Sequence, residues 1–114
     1  MKMKEEFLHF IWKNGLYEPN NAVTGEGEKV EIISPGRHNF HAGPDFFDAR
    51  IRIGQTLWAG NVEIHLKASD WNRHGHQEDP LYRNTILHVV ADNDLVVKND
   101  AGCIVPAMVI SWPL

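Results

Sequence analysis

A chain of 114 residues with a net charge of −4 has room for a single core and hardly for a second domain. The mild acidity argues against a general nucleic-acid coat, although a local basic patch is compatible with it. Cys103, the only cysteine, closes no internal disulfide, which excludes a disulfide-braced secreted scaffold and predicts a reducing, cytoplasmic setting.

The pattern predicts a short amphipathic helix over residues 4–14. Phe7, Leu8, Ile11 and Trp12 recur at helical spacing, with Lys2, Lys4, Glu5, Glu6 and Lys13 around them and Asn14 and Gly15 as the stop. His9 interrupts this apolar stretch, which is also too short for a signal core or a membrane span, so no membrane association is expected. Residues 18–28 are polar and rich in turn formers and read as a loop. From residue 29 the period becomes that of a strand, Val30 to Ile33, ended by Ser34, Pro35 and Gly36. Residues 37–45 form a further loop. Phe46 to Ile53 alternates, with Phe47, Ala49, Ile51 and Ile53 on one face and Asp48, Arg50 and Arg52 on the other. Gly54 and Gln55 make a tight hairpin turn into a long second strand, Thr56 to Lys67, with a bulge expected at Ala59 and Gly60.

Residues 68–85 are irregular and polar, with one helical turn near Leu81 and Tyr82. Ile86 to Ala91 is an apolar run of the kind found in central strands. After a turn at residues 92–94, Leu95 to Lys98 and Cys103 to Ile110 flank a turn at residues 99–102 and read as a hairpin, which places Cys103 in an apolar strand as inert packing. The predicted fold is α+β, an N-terminal helix packed on a strand-rich, mostly antiparallel mixed sheet. Ile51, Ile53, Val62, Ile64, Leu87 and Val89 are its expected core, in one domain spanning residues 1–114.

Polar chemistry concentrates between His38 and His88, which hold six of the seven histidines. Two features stand out on the central hairpin. Gly43, Pro44 and Asp45 lie at the mouth of its first strand; Glu63, His65 and Lys67 share one face of its second. Counting back from the turn at Gly54 brings Asp45 to the neighbourhood of Glu63 and His65, within reach of one divalent cation. Carboxylates favour Mg²⁺ or Mn²⁺, and an added imidazole shifts the preference toward Mn²⁺ or Zn²⁺. A solvated strand face carries the same alternation and Pro-Asp is ordinary turn chemistry, so an unremarkable surface stands as the competing reading. A third feature is His74 and His76, spaced to point the same way from an extended segment and share a metal, with Asp70, Glu78 and Asp79 as further oxygen donors. His88, inside an apolar run, reads as a core histidine, and His9 as a partly exposed one.

The strings Gly43 to Ile51, Leu57 to His65, Ser69 to Trp71 with His74 and His76, and Leu87 to Val90 resemble an uncharacterised bacterial family, a domain of unknown function whose members are commonly several hundred residues long. The resemblance implies that this chain is the N-terminal portion of a longer form; it implies no activity. The chain also resembles, more weakly, the PD-(D/E)xK nuclease-like superfamily. Glu5 or Glu6 matches the acid of its first helix, Pro44 and Asp45 its Pro-Asp, and Glu63 with His65 its acid-x-lysine, with histidine where that superfamily has lysine. The irregular residues 68–85 stand where it usually has a helix.

The leading functional reading is a metal-dependent phosphodiester hydrolase or a degenerate relative, acting on nucleic acid. Asp45 and Glu63 hold the cation, His65 or Lys67 orients water or acts as base, and Arg37, Arg50, Arg52 and Arg73 steer the phosphate backbone. Two alternatives stay open: a metal-binding module built on His74 and His76, and a non-enzymatic interaction domain of a larger protein. Ile110, Trp112 and Leu114 alternate as if a strand continued, which predicts self-association through residues 103–114.

Overall fold

The computed structural model describes residues 3–113. Lys2, a flank of the predicted helix, and Leu114, the last residue of the C-terminal alternation, lie outside the described residues.

The first helix, α1, spans Glu5–Lys13 and buries Leu8, Ile11 and Trp12. Glu5 and Glu6 in its first turn and Lys13 in its last complement the helix dipole. Trp12 is fully buried, and its indole N–H donates to the carbonyl of Pro35 at 3.1 Å, so the polar edge of the ring is satisfied inside the core.

Against this helix lies a six-stranded sheet of β1 (Val30–Ser34), β2 (Arg37–His38), β3 (Phe46–Ile53), β4 (Thr56–Lys67), β5 (Thr85–Asp92) and β6 (Ala107–Val109), in the order β1-β3-β4-β5-β6 with β2 also on β3. The strands β1, β2 and β4 run antiparallel to β3, whereas β4, β5 and β6 run parallel to one another. The parallel step from β4 to β5 needs a crossover of about a dozen residues or more. Residues 68–84 supply it, through a short helix α2 (Asp70–Arg73) and 3-10 turns at His76–Glu78 and Pro80–Tyr82.

The central hairpin has the expected bounds, but its bulge lies elsewhere, and the bulge puts Phe46 rather than Phe47 in the core with Ala49, Ile51 and Ile53. Phe46 faces Val62 and Ala49 faces Gly60, so the extra residue sits on β3, where Asp48 takes a φ of 59°. Gly60 has another purpose: a Cβ there would stand 2.5 Å from Ile86 Cγ2 and 2.7 Å from the carbonyl oxygen of Asn84. Only glycine lets β5 approach β4 so closely.

The expected hairpin over residues 95–110 is reduced to one bridge, Lys98 with Ile104. The Asn99 side chain holds its turn by accepting the N–H groups of Ala101 and Cys103, both at 3.0 Å. Val97 and Val105 then turn inward onto Trp71 and Tyr82 to form a second small core; residues 95–106 form no strand, and only Ala107–Val109 of the second arm does, as β6 alongside β5. Cys103 is exposed as a result, not packed in a strand.

The six expected core residues are all buried in one cluster with Phe46 and the apolar face of α1. Each such side chain contributes roughly 1.5–3 kcal/mol through burial. Because side chains alternate along β4, Glu63 and His65 face the other way from Val62 and Ile64, toward the crossover segment. The outer edge of β6, through which self-association is expected, is partly occupied within the chain. Thr24 bridges Met108, the N–H of Gly25 donates to Ala107 at 3.0 Å, and that of Glu18 donates to Ser111 at 2.7 Å. Trp112 packs edge-on against Phe7. Among the described residues no helix is long and apolar enough to cross a membrane.

Candidate metal centre

The polar face of β4 is covered at Glu63 and His65 and solvated only at Lys67. Glu63 and His65 are 4% and 2% exposed, covered by the crossover segment, and His88 beside them on β5 is wholly buried. The parallel register puts Glu63 directly opposite His88. What brings the other two histidines in is Gly75, whose φ of 74° turns the chain back on itself between His74 and His76. The pair is therefore turned, not extended, and it presents two different nitrogens to β4.

The resulting cluster is tight. His76 Nε2 lies 2.9 Å from Glu63 Oε2, His65 Nε2 lies 3.2 Å from the same oxygen, and His74 Nδ1 lies 3.3 Å from His65 Nε2. One ligand atom from each of His65, His74 and His76 lies within 4.8 Å of the others. His65 and His76 are buried, and His74 is exposed on the open side. Around a cation with bonds of 2.0–2.2 Å, neighbouring ligand atoms stand about 3.0–3.6 Å apart. The observed spacings therefore suit a coordination shell as well as they suit hydrogen bonds. Behind it, His65 Nδ1 meets His88 Nε2 at 2.7 Å. A proton on His65 Nδ1 shared with His88 leaves His65 Nε2 as a bare lone pair facing the cluster. Trp71 stands edge-on to His76, and Tyr82 stacks on His76 at 3.6 Å, so aromatic rings fix that imidazole.

Asp45 joins this centre from the start of β3. Its backbone N–H donates to Glu63 Oε1 at 3.1 Å, and its carboxylate accepts the Ile64 N–H at 2.8 Å. On its other side is His9 of α1, with Nε2 at 3.5 Å from Asp45 Oδ2 and 3.6 Å from Glu5 Oε1. Sequence reasoning set His9 and His88 aside, and Glu5 entered only through a resemblance. The register that pairs β4 with β5 and the angle at which α1 crosses β3 are tertiary facts with no local signature.

Electrostatics follow from burial. Desolvation, then the neighbouring carboxylate of Asp45, pushes Glu63 up to about 10. Asp45 moves the other way: its burial is outweighed by the positive charge of His9, the proton on Glu63 and the Ile64 N–H. Desolvation and the surrounding imidazoles lower His65 to about 3, and burial with His76 alongside lowers His88 to about 4. Burial and His74 likewise lower His76 to about 4. His65 and His76 are therefore neutral at pH 7, the state in which imidazole binds metal. Burial lowers His9, but Asp45 and Glu5 outweigh it and raise it to about 9.

Of the other residues singled out by sequence, Lys67 is exposed at the end of β4, and its backbone N–H donates to Asp70. Arg37, Arg52 and Arg73 pair with Asp48, Glu31 and Asp70, whereas Arg50 has no acidic partner among the described residues. Trp58 is half exposed.

One helix on a six-stranded mixed sheet, with a carboxylate–imidazole cluster that could hold a metal ion under its crossover, defines an α+β domain with a candidate metal centre. The chain belongs to the family described as "Protein of unknown function (DUF2851)", which it matches over residues 5–112. No curated protein and no solved structure matches it.

Proposed function

We propose that the chain is a metal-dependent phosphodiester hydrolase whose cation is held by Glu63, His65, His74 and His76, with Asp45 alongside. The observation that carries the metal is the donor set. Three imidazoles and a carboxylate, gathered from β4 and the crossover, sit at coordination spacing. The His76 Nδ1 and His88 Nδ1 atoms behind them are buried without a hydrogen-bond partner among the described residues. Such a nitrogen-rich set suits Zn²⁺ or Mn²⁺ better than Mg²⁺.

The reaction class is supported by the way Glu5 on α1, Asp45 before β3, and Glu63 with His65 on β4 converge in space, as the resemblance to the PD-(D/E)xK superfamily requires. A divalent cation there supplies a more acidic water and positive charge against the anionic transition state. The chain's own residues do the rest. His88 fixes the tautomer of His65, the Ile64 N–H orients the Asp45 carboxylate, and exposed His74 marks the side open to substrate. A groove of about 980 Å³, lined by Arg50, Asn61, Asn84 and Asn99 and by none of the metal ligands, lies further along β4 and β5. Arg50 is the residue assigned there to a phosphate of nucleic acid. Lys67 has no part in this scheme.

The same four ligands would also suit a structural metal that staples the crossover onto the sheet, since closed four-ligand sets are typical of structural zinc. Hydrolysis of bis(p-nitrophenyl) phosphate and of single- and double-stranded DNA, with Zn²⁺ or Mn²⁺ added to chelator-treated chain, separates the two. Turnover that disappears in Glu63→Gln and His76→Ala, with their circular dichroism unchanged, is the expected result. Metal binding that stabilises the chain without turnover of any of these esters would leave the structural site and remove the hydrolase.

A further inference from the structure

Glu5, His9 and Asp45 form a second group of metal-type ligands on the far side of the Asp45–Glu63 carboxylate pair. Their donor atoms lie within 4.8 Å of one another. We infer that Glu5, His9 and Asp45 seat a second divalent cation, so that the centre is binuclear, with the two carboxylates between its halves. The inference rests on the metal centre proposed above and adds a second ion to it.

Three observations carry it. His9 Nε2 is shut off from solvent and has no hydrogen-bond partner among the described residues, although two carboxylates face it. Its distances to them, 3.5 and 3.6 Å, are well beyond the roughly 2.7–2.9 Å of a charge-assisted hydrogen bond. They also match the edge of a coordination polyhedron, about 3.0–3.6 Å for bonds of 2.0–2.2 Å. In the metal-free chain His9, raised to about 9, is an imidazolium between the two acids, and an ion seated there takes the place of its proton. The imidazole cannot readily swing away, because His38 at 5.3 Å and Phe46 at 6.1 Å both meet it edge-on. Asp45 is fixed as well: the Ile64 N–H holds Oδ2, and its own N–H ties it to Glu63. Of the three, Glu5 keeps the most solvent exposure, 39% of its side chain, which gives the ion an entry path.

The two seats differ in chemistry. Two carboxylates and one imidazole are harder than three imidazoles and one carboxylate, so the second seat prefers Mn²⁺ where the first prefers Zn²⁺. In a two-metal arrangement the paired ions stabilise the attacking and leaving oxygens together, which fits the substrate class proposed above.

The test is metal stoichiometry and affinity, by calorimetric titration and elemental analysis of the full chain with Zn²⁺ and then Mn²⁺. Wild-type chain is expected to take one Zn²⁺ and then one Mn²⁺. His9→Gln and Glu5→Gln should each weaken the Mn²⁺ step by at least about tenfold and leave the Zn²⁺ step unchanged. His76→Ala should do the reverse. A single ion, bound equally well by His9→Gln and lost in His76→Ala, would overturn the second seat while the first stands; His9 would then be a protonated bridge between its two acids. A single ion lost in His9→Gln but kept in His76→Ala would establish this seat and remove the first. No ion at all would end both.

Discussion

Both ring nitrogens of His65 are engaged, one by the cluster and one by His88, and that makes His88 more than core packing. Replacing His88 with Ala removes the acceptor of the His65 Nδ1 proton. Zinc affinity, measured by titration against a competing chelator, should fall about 10–100-fold. An unchanged dissociation constant in a folded variant would reduce His88 to packing.

The same residues set a pH dependence for the metal-free chain. His65, His76 and His88 stay neutral in the native state, at about 3, 4 and 4, but take up protons near 6.5 when unfolded. Their contribution is present above pH 6.5 and is lost as pH falls below it. Glu63 works oppositely: raised from 4.5 to about 10, it holds a proton in the native state that the unfolded chain has released. Near pH 5 unfolding thus takes up three protons and releases one, a net of two, and stability falls toward acid. Above pH 7 the raised values of Glu63 and His9 both make stability fall as pH climbs toward 9. Urea midpoints measured in excess chelator should peak near pH 6.5. A flat profile from pH 5 to 9 would show that these groups titrate freely in the fold.

Among the elements, the bounds of the β3–β4 hairpin were readable to the residue, because alternation and a turn glycine are local signals; the face of Phe47 was not, because the bulge at Asp48 shifts the alternation and buries Phe46 instead. The bulge was misplaced because a glycine in a strand has two uses, and only the position of β5 tells them apart. Gly60 is there for close approach: Gly60→Ala puts a methyl against the Asn84 carbonyl oxygen and Ile86. The expected loss is about 1–3 kcal/mol, read from urea unfolding; a loss within error of zero would mean that β5 can slide away. The arms of residues 95–106 misled for a related reason. Their apolar residues serve a second core around Trp71 and Tyr82, not a sheet, and periodicity does not say which partner an apolar residue will find.

Taken as a whole molecule, the centre exists only because three separate stretches meet: α1, the β3–β4 hairpin, and the crossover that closes over β4. The sequence grouped Asp45 with Glu63 and His65, and His74 with His76, as two candidates; the turn at Gly75 and the packing of Trp71 in the crossover with Tyr82, Val97 and Val105 join them into one cluster. His9 and His88 went unrecognised because their partners are 36 and 23 residues away in the chain (Asp45 from His9, His65 from His88). Any cation bound there ties the crossover to the sheet and stabilises the native chain by mass action, about 2.7 kcal/mol at a hundredfold excess over its dissociation constant.

The identity of the ligands is the central claim, and X-ray absorption at the zinc edge of the Zn²⁺-loaded chain reads it directly. The expected shell is nitrogen and oxygen at about 2.0–2.1 Å, with multiple scattering from three imidazoles that drops by one ring in His76→Ala and in His74→Ala. A zinc shell without imidazole scattering, or one that both substitutions leave unchanged, would contradict it.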